Sequence, residues 1–207
     1  MKKQEKTQRS RERILEAALK EFGTKNYDSA SINTICSESH LSKGLIYHNF
    51  KNKDALYLRC VALCYQEMMA YTREKEAALD TSETDIQGLL AIRQSFFAQH
   101  PYYSNIFFNT ILQPPKHLIS EIHALRKEFD AFQMERFEKM IRQLPLREGI
   151  RVETALEFFL LFSEMYNGYF RNKAEQTEDY KALIHAHEDQ MAELFDIMLY
   201  GIAKQSS

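Results

Sequence analysis

The sequence is poor in the residues that interrupt helices. It has only 6 Gly and 4 Pro among 207 residues, too few to supply the turns of a protein built from many short strands. Its three cysteines, Cys36, Cys60 and Cys64, lack the number and spacing of a disulfide framework or a four-ligand zinc site. A helical protein in a reducing compartment is therefore favoured.

Long hydrophobic runs are also missing. Apolar stretches such as 158–162 fall far short of the ~20 residues that cross a bilayer. Arginines and a glutamate between residues 9 and 13 occupy the place where a signal peptide would carry its apolar segment. We therefore expect no membrane span and a cytoplasmic location.

No motif of catalysis or metal binding is recognisable. The seven histidines are scattered, and the sequence contains no nucleophile elbow, Gly-rich phosphate loop or metal-ligand spacing. Cys60 and Cys64, four residues apart, would share a helix face and could hold a metal or sense redox state, but buried free cysteine usually acts as a small hydrophobe. We expect no enzyme, no cofactor and no metal.

Charge is distributed unevenly along the chain. Residues 1–60 carry 12 basic and 7 acidic side chains, whereas residues 61–207 carry 15 basic and 22 acidic ones. A basic N-terminal region suggests a polyanionic partner, although random drift could produce the same imbalance.

The N-terminal region shows the periodicity and the boundary signals of four helices. Apolar residues at helical spacing predict helices over 10–22, 32–39, 43–49 and 53–79. Gly23 ends the first helix, while Ser31, Ser42 and Asn52 can cap the other three. Two short helices after a longer one are typical of a helix-turn-helix.

The rest of the chain also follows a helical pattern. It predicts a helix that starts at Thr81 or Ser82 and ends near 100, an aromatic segment over 102–112, and helices over 116–144, 150–172 and 179–204. The sequence therefore predicts an all-α fold.

The last two helices point to self-association. The segment 156–170 is apolar nearly all round, which requires burial on two sides. Pairing of a two-helix hairpin with its symmetry mate would provide this burial, and a large monomer core is the alternative. Residues expected at such an interface are Phe159, Ser163, Phe170, Met191, Phe195 and Met198.

The segment Ser42–Leu56, SKGLIYHNFKNKDAL, resembles the signature of the tetracycline-repressor (TetR) family of transcriptional regulators. The resemblance extends back through 31–36 to 14–23 and covers roughly residues 10–58. The remainder matches only the family's general plan of further helices. The resemblance implies an N-terminal helix-turn-helix DNA-binding domain over 1–51 and a helical effector-binding and dimerisation domain over 52–207.

The resemblance, together with the chemistry of these side chains, implies a set of DNA contacts on and around the third helix. The set is Ser31, Asn33, Thr34, Ser42, Lys43, Gly44, Leu45, Tyr47, His48, Lys51 and Lys53. Alternatives remain for some of them: Tyr47 could pack against Phe22, and Lys51 and Lys53 could be solvated surface charges. Leu45, where many members carry Thr or Ser, could contact a thymine methyl group or turn inward.

The family also binds inducers in its helical body, which here is rich in aromatic residues. The expected pocket residues are Tyr65, Met68, Phe96, Phe97, Tyr103, Phe107, Phe129, Phe162 and Tyr166, although each could be ordinary core. The resemblance implies a homodimeric repressor on inverted-repeat double-stranded DNA, released by a small, largely apolar effector. The alternative is a helical ligand-binding or interaction module without specific DNA binding.

Overall fold

A computed structural model of the protein describes residues 2–78 and 86–202, and every regular element in these ranges is a helix. The elements are α1 (Lys2–Phe22), α2 (Ile32–Ser39), α3 (Lys43–Asn49), α4 (Lys53–Ala78), α5 (Ile86–Gln99), α6 (Pro101–Leu112), a 3₁₀ turn (Lys116–Leu118), α7 (Ile119–Gln143), α8 (Val152–Ala174) and α9 (Tyr180–Ile202). The predicted all-α fold is confirmed. The expected helix ends at Leu79 and Lys204, and the expected start at Thr81 or Ser82, lie outside the described residues.

One helix is longer than its hydrophobic pattern predicts. The first buried apolar residue of α1 is Ile14, so the periodicity indicates a start near Ser10, whereas α1 begins at Lys2. The added residues are mostly Lys, Gln, Glu and Arg, which have high helix propensity and need no buried face to form a helix.

The chain separates into two compact units. Unit 1 comprises residues 1–67 and 97–126, and unit 2 comprises residues 68–96 and 127–207. The predicted functional boundary at residue 51 lies within unit 1, which contains the N-terminal part of α4 and all of α6 together with α1, α2 and α3, and that boundary stays a prediction. None of the described helices is long and apolar enough to cross a membrane.

Within unit 1, α6 packs closely against the end of α1. A Cβ atom at Gly23 would lie 2.4 Å from the Cβ of Tyr102, so only glycine allows this approach. The side-chain amide of Asn105 donates to the carbonyls of Phe22 and Lys25, at 3.3 and 3.4 Å. These contacts fix the segment that leads from α1 into the helix-turn-helix.

Within unit 2, a buried polar network joins α5, α8 and α9. The Arg93 guanidinium donates two hydrogen bonds to the Glu188 carboxylate, at 2.7 and 3.1 Å. The His187 ring lies 3.1 Å from the Asn167 side-chain oxygen and 3.3 Å from Glu188. Burial lowers the pKa of His187, and Arg93 keeps the pKa of Glu188 below its usual range against the opposing effect of burial.

Candidate nucleic-acid interface

Two serine caps fix the starts of the short helices α2 and α3. The Ser31 hydroxyl accepts a hydrogen bond from the Asn33 amide at 3.2 Å, and the Ser42 hydroxyl accepts one from the Leu45 amide at 3.3 Å. Each cap satisfies an amide that a helix N-terminus leaves without an intrahelical partner. Both predicted caps are confirmed, as is that of α4, where the Ala55 amide donates to Asn52 at 2.8 Å.

The turn between α2 and α3 is tight. His40 closes α2 in the left-handed conformation, with φ of 53°. The Leu41 amide then donates to the Cys36 carbonyl at 3.2 Å. Because this closure uses the last carbonyls of α2, the chain can reverse and reach the Ser42 cap within two residues.

A buried carboxylate that the sequence analysis missed ties α2 to α1. Glu21 is only 5% exposed, and it accepts hydrogen bonds from the Ser31 amide and the Lys25 ammonium, each at 2.8 Å. A buried charge needs such partners. Its sequence position beside the buried Phe22 was the only signal, and glutamate in a last helical turn normally indicates a solvated surface.

Further contacts of α1 hold the far end of α2 and the end of α3. Arg13 donates to the Ser39 carbonyl at 2.5 Å, and the Arg11 guanidinium lies 5.5 Å from the centre of the Phe50 ring. Lys20 forms an exposed ion pair with Glu38 at 2.7 Å, which contributes little to stability because solvent screens it. The helix-turn-helix is therefore held against α1 mainly by Glu21, Arg13 and the apolar core.

The helix α3 buries one face and exposes a polar, basic face. Ile46 and the following Phe50 are buried. The exposed residues on and next to α3 are Ser42, Lys43, Gly44, Tyr47, His48 and Lys51, which we call the α3 surface. Rigid apolar anchors beneath a basic, hydrogen-bonding face are what a phosphate backbone requires of a protein.

Tyr47 belongs to this surface and not to the core. Its side chain is 45% exposed, and the aromatic partners of Phe22 are Tyr27 and Tyr57, with ring centres 6.4 and 5.1 Å away. Leu45 is half-buried, which does not decide between an inward position and a contact with a base. On α2, Asn33 is exposed, while Ser31 and Thr34 are half-buried.

Lys53 lies in a structured cluster at the start of α4. Its ammonium is 4.2 Å from the centre of the Tyr27 ring, and burial lowers its pKa. The Tyr27 hydroxyl donates to Asp54, which His117 also approaches at 3.2 Å. The hydrogen bond from Tyr27 keeps the pKa of Asp54 below its usual value. Lys53 is therefore a positioned cation and not a freely moving surface charge.

Comparison with known proteins finds a family similarity in the N-terminal part of the chain. Residues 14–60 match the family model described as "Bacterial regulatory proteins, tetR family". This N-terminal part of the chain is similar to the TetR family. The match spans α1 from its first buried residue through α2, α3 and the beginning of α4.

Relatives and solved structures show the same similarity. The chain is 26% identical over 111 residues to the HTH-type transcriptional regulator UidR of Escherichia coli K12, and this match covers 54% of the chain but only 57% of UidR. A TetR-family transcriptional regulator from Agrobacterium tumefaciens has the same fold, with a TM-score of 0.63 at 18% identity over 96% of this chain and 100% of that one. The regulator FadR of Bacillus subtilis, solved with stearoyl-CoA, gives a TM-score of 0.56 at 15% identity over 86% and 95% of the two chains.

The residues predicted to form an effector pocket fall into both units. Tyr65, Phe97, Tyr103 and Phe107 belong to unit 1, and Met68, Phe96, Phe129, Phe162 and Tyr166 belong to unit 2. All are buried except the half-buried Tyr103 and Phe162. In unit 1 the Tyr65 hydroxyl lies 2.8 Å from that of Thr110, and burial raises the pKa of Tyr103 to about 12.

Within its described residues, unit 1 contains an open groove and unit 2 contains a cavity. An open groove of about 620 Å³ in unit 1 lies between α1, α4 and α7 and is lined by none of the nine predicted residues. A cavity of about 420 Å³ in unit 2 is lined mainly by apolar side chains of α8 and α9, including Phe158, Phe162, Leu194 and Ile197. Phe162 is the one predicted pocket residue that lines it.

Most of the residues predicted at a dimer interface are buried within unit 2 of the single chain, and their place at an interface stays a prediction. The buried ones are Phe170, Met191, Phe195 and Met198. The Phe159 ring stacks between those of Phe137 and Phe195, with ring centres 3.6 and 5.5 Å away. Ser163 is half-buried. The α9 stripe was correctly predicted as a packing face, but it packs within the subunit.

The exposed apolar residues of unit 2 lie on another part of α8 and α9. They are Phe158, Leu160, Leu161, Met165, Tyr169 and Ile197. Phe158, Leu161, Met165 and Tyr169 follow one another at spacings of three and four, so they form a continuous strip that we call the α8 stripe. Met165 is 73% exposed and Leu161 is 53% exposed.

Two of the three cysteines lie on α4 inside unit 1. Cys60 and Cys64 are buried, and burial raises the pKa of both thiols, which disfavours the reactive thiolate. Cys64 donates to the Tyr103 carbonyl at 3.5 Å. Among the described residues, no group of three or more His, Cys, Asp and Glu side chains could hold a metal ion.

Proposed function

We propose that this protein is a transcriptional regulator that binds an inverted-repeat DNA duplex as a homodimer and acts as a repressor released by a small, largely apolar effector. The observation that carries the proposal is the α3 surface, a basic and polar face on a capped, rigidly anchored helix in an N-terminal region similar to the TetR family.

The proposed roles follow from position on α3. Ser42 and Lys43 lie at its N-terminus, the end that a recognition helix presents to base edges in the major groove. Tyr47 lies one turn later on the same exposed side and can donate its hydroxyl to a phosphate. Lys51 and Lys53 come after the end of α3 and would extend the contact along the DNA phosphate backbone.

Fluorescence anisotropy tests these roles. The probe is a duplex that the wild-type protein selects from a randomised pool, with excess nonspecific competitor. We expect Lys43→Ala to weaken binding and to reduce the slope of log K against log salt concentration by about one unit. Tyr47→Ala should weaken binding with a smaller change in slope. Lys127→Ala, which removes an exposed charge from unit 2, is the control. Equal binding by all variants would contradict the proposed roles.

The α8 stripe supports the proposed homodimer. An exposed, continuous apolar strip of this kind marks an association surface, and a twofold axis lets one strip pack against its own copy. A dimer would carry two recognition helices about 34 Å apart, which matches one turn of DNA and predicts an inverted repeat.

Two observations support the proposed effector. Supporting it are the apolar cavity of about 420 Å³ in unit 2, which lies within the size range of ligand sites, and the stearoyl-CoA bound to FadR, a protein of the same fold. We propose that α4, which contributes residues to both units, transmits the effect by a population shift. Screening acyl and aryl compounds for release of the anisotropy probe tests this. If no compound both stabilises the protein and releases DNA, the proposal of an effector fails.

A further inference from the structure

We propose that the open groove in unit 1 is a further small-molecule site, which binds an organic carboxylate with an apolar body through the guanidinium of Arg59. The groove has a volume of about 620 Å³, which lies within the size range of ligand sites. It shares no lining residue with the unit 2 cavity that supports the proposed effector. The inference therefore goes beyond the proposed function and does not require DNA binding.

Arg59 carries the inference, because its side chain holds a buried donor without an acceptor. It lies on the part of α4 that belongs to unit 1, and it lines the groove. Its Nε atom is buried, and no atom of the described residues accepts a hydrogen bond from it. Since a buried donor without a partner costs free energy, an acceptor that enters the groove supplies an interaction that the chain itself does not provide.

The charges around the groove favour an anionic acceptor. The planar guanidinium of arginine presents paired donors that match the two oxygens of a carboxylate. Arg11 lines the same groove and adds a second positive charge. The acidic residue among the described lining residues is Glu121, which is exposed, so solvent and salt screen its repulsion of an anion. The groove therefore has a net positive lining.

The rest of the lining suits an apolar body and includes the end of α3. Phe50, Leu58 and Leu125 supply large apolar side chains, and three alanines of α4 and α7 leave space between them. Filling this space removes apolar surface of a ligand from water. Asn49, the last residue of α3, also lines the groove. A bound ligand would therefore contact the end of α3 together with α1, α4 and α7.

Isothermal titration calorimetry without DNA tests the site. The probes are cinnamate, a flat aromatic carboxylate, and cinnamamide, its uncharged amide of nearly the same shape. Arg59→Met removes the donors and keeps a long apolar side chain, whereas Arg59→Lys keeps the charge without the planar fork. The matched control is Arg147→Met, which removes an exposed arginine from the lining of the unit 2 cavity. Circular dichroism and a thermal melt check that each variant is folded.

We expect the wild type to bind cinnamate at least about tenfold more tightly than cinnamamide, as a hydrogen bond to a charged group predicts. Arg59→Met should weaken cinnamate binding by about tenfold or more and remove the difference between the two probes. Arg59→Lys should retain part of that difference, and Arg147→Met should behave as the wild type.

Three results would overturn the inference: no binding of cinnamate, equal binding of both probes by the wild type, or unchanged cinnamate binding by Arg59→Met. Binding that is lost in Arg147→Met and kept in Arg59→Met would place the ligand in the unit 2 cavity and overturn it as well. Because the titration contains no DNA, a protein that binds no duplex would contradict the proposed function and leave this inference intact.

Discussion

The α3 surface and the α8 stripe are both exposed faces of helices whose other faces are buried, but their chemistry is opposite. The α3 surface consists of polar and basic side chains over Ile46, whereas the α8 stripe consists of Phe, Leu, Met and Tyr. Water solvates the first face well, and the second loses free energy while it remains in water. The comparison indicates a charged partner for the first face and an apolar partner for the second.

The largest effect is expected from placing charge on the α8 stripe. Leu161→Lys with Met165→Lys would bury two unpaired ammonium groups in a self-association interface, at several kcal/mol each. We expect the dimer dissociation constant to rise by about a hundredfold or more in sedimentation equilibrium. Glu164→Lys, an exposed change on the same helix, is the control. A double variant that remains as dimeric as the wild type would remove the α8 stripe from the interface.

Smaller effects on stability, of opposite sign, are expected from replacing two glycines by alanine. Gly23→Ala forces Cβ to within 2.4 Å of Tyr102 and should destabilise unit 1 by about 1–3 kcal/mol, as overpacking does. Gly168→Ala on α8 meets no atom within 4 Å and should raise stability by up to about 1 kcal/mol through helix propensity. Urea unfolding measures both. A neutral Gly23→Ala would show that the approach of α6 to α1 is looser than the structure has it.

The helix caps of the α3 region should contribute less again. Ser31→Ala and Ser42→Ala each remove one capping hydrogen bond and should cost about 1 kcal/mol. The matched changes Ser31→Asn and Ser42→Asn retain a capping side chain and should cost little. Urea unfolding followed by circular dichroism distinguishes them. Alanine variants as stable as the asparagine variants would mean that the caps do not hold these helices.

The mildest expected effect concerns the pH dependence of unit 2. The pKa of His187 is lowered in the folded protein. As pH falls below about 6.5, this histidine therefore becomes protonated in the unfolded chain while it remains neutral in the folded one. Stability should therefore decrease as pH falls from 7 towards the folded-state pKa. In His187→Gln this decrease should be smaller than in the wild type, measured by urea unfolding at several pH values. An unchanged pH profile would show that His187 does not cause it.

Local chemistry explains why the helix-turn-helix could be predicted from sequence. The caps at Ser31, Ser42 and Asn52 and the stop at Gly23 are signals between near neighbours, and the structure confirms all four. The buried Glu21 could not be found in this way, because its burial depends on the Ser31 amide ten residues later.

The exposed and buried faces of α8 could not be distinguished from sequence for a related reason. Segment 156–170 is apolar on every side, so periodicity cannot distinguish the face that packs inside the subunit from the face that remains exposed. Phe170 and Phe195 were predicted at a dimer interface and are buried within unit 2 of the single chain, whereas Met165 and Leu161, which were not selected, are exposed.

Sequence-specific DNA binding is tested most directly by the affinity of the wild-type protein for its selected duplex, compared with a scrambled duplex of equal length at physiological salt. We predict that the selected duplex binds at least about a thousandfold more tightly, as expected of a specific reader. Binding that differs by less than about tenfold between the two duplexes would contradict a sequence-specific regulator and leave only the general attraction of a basic face for DNA.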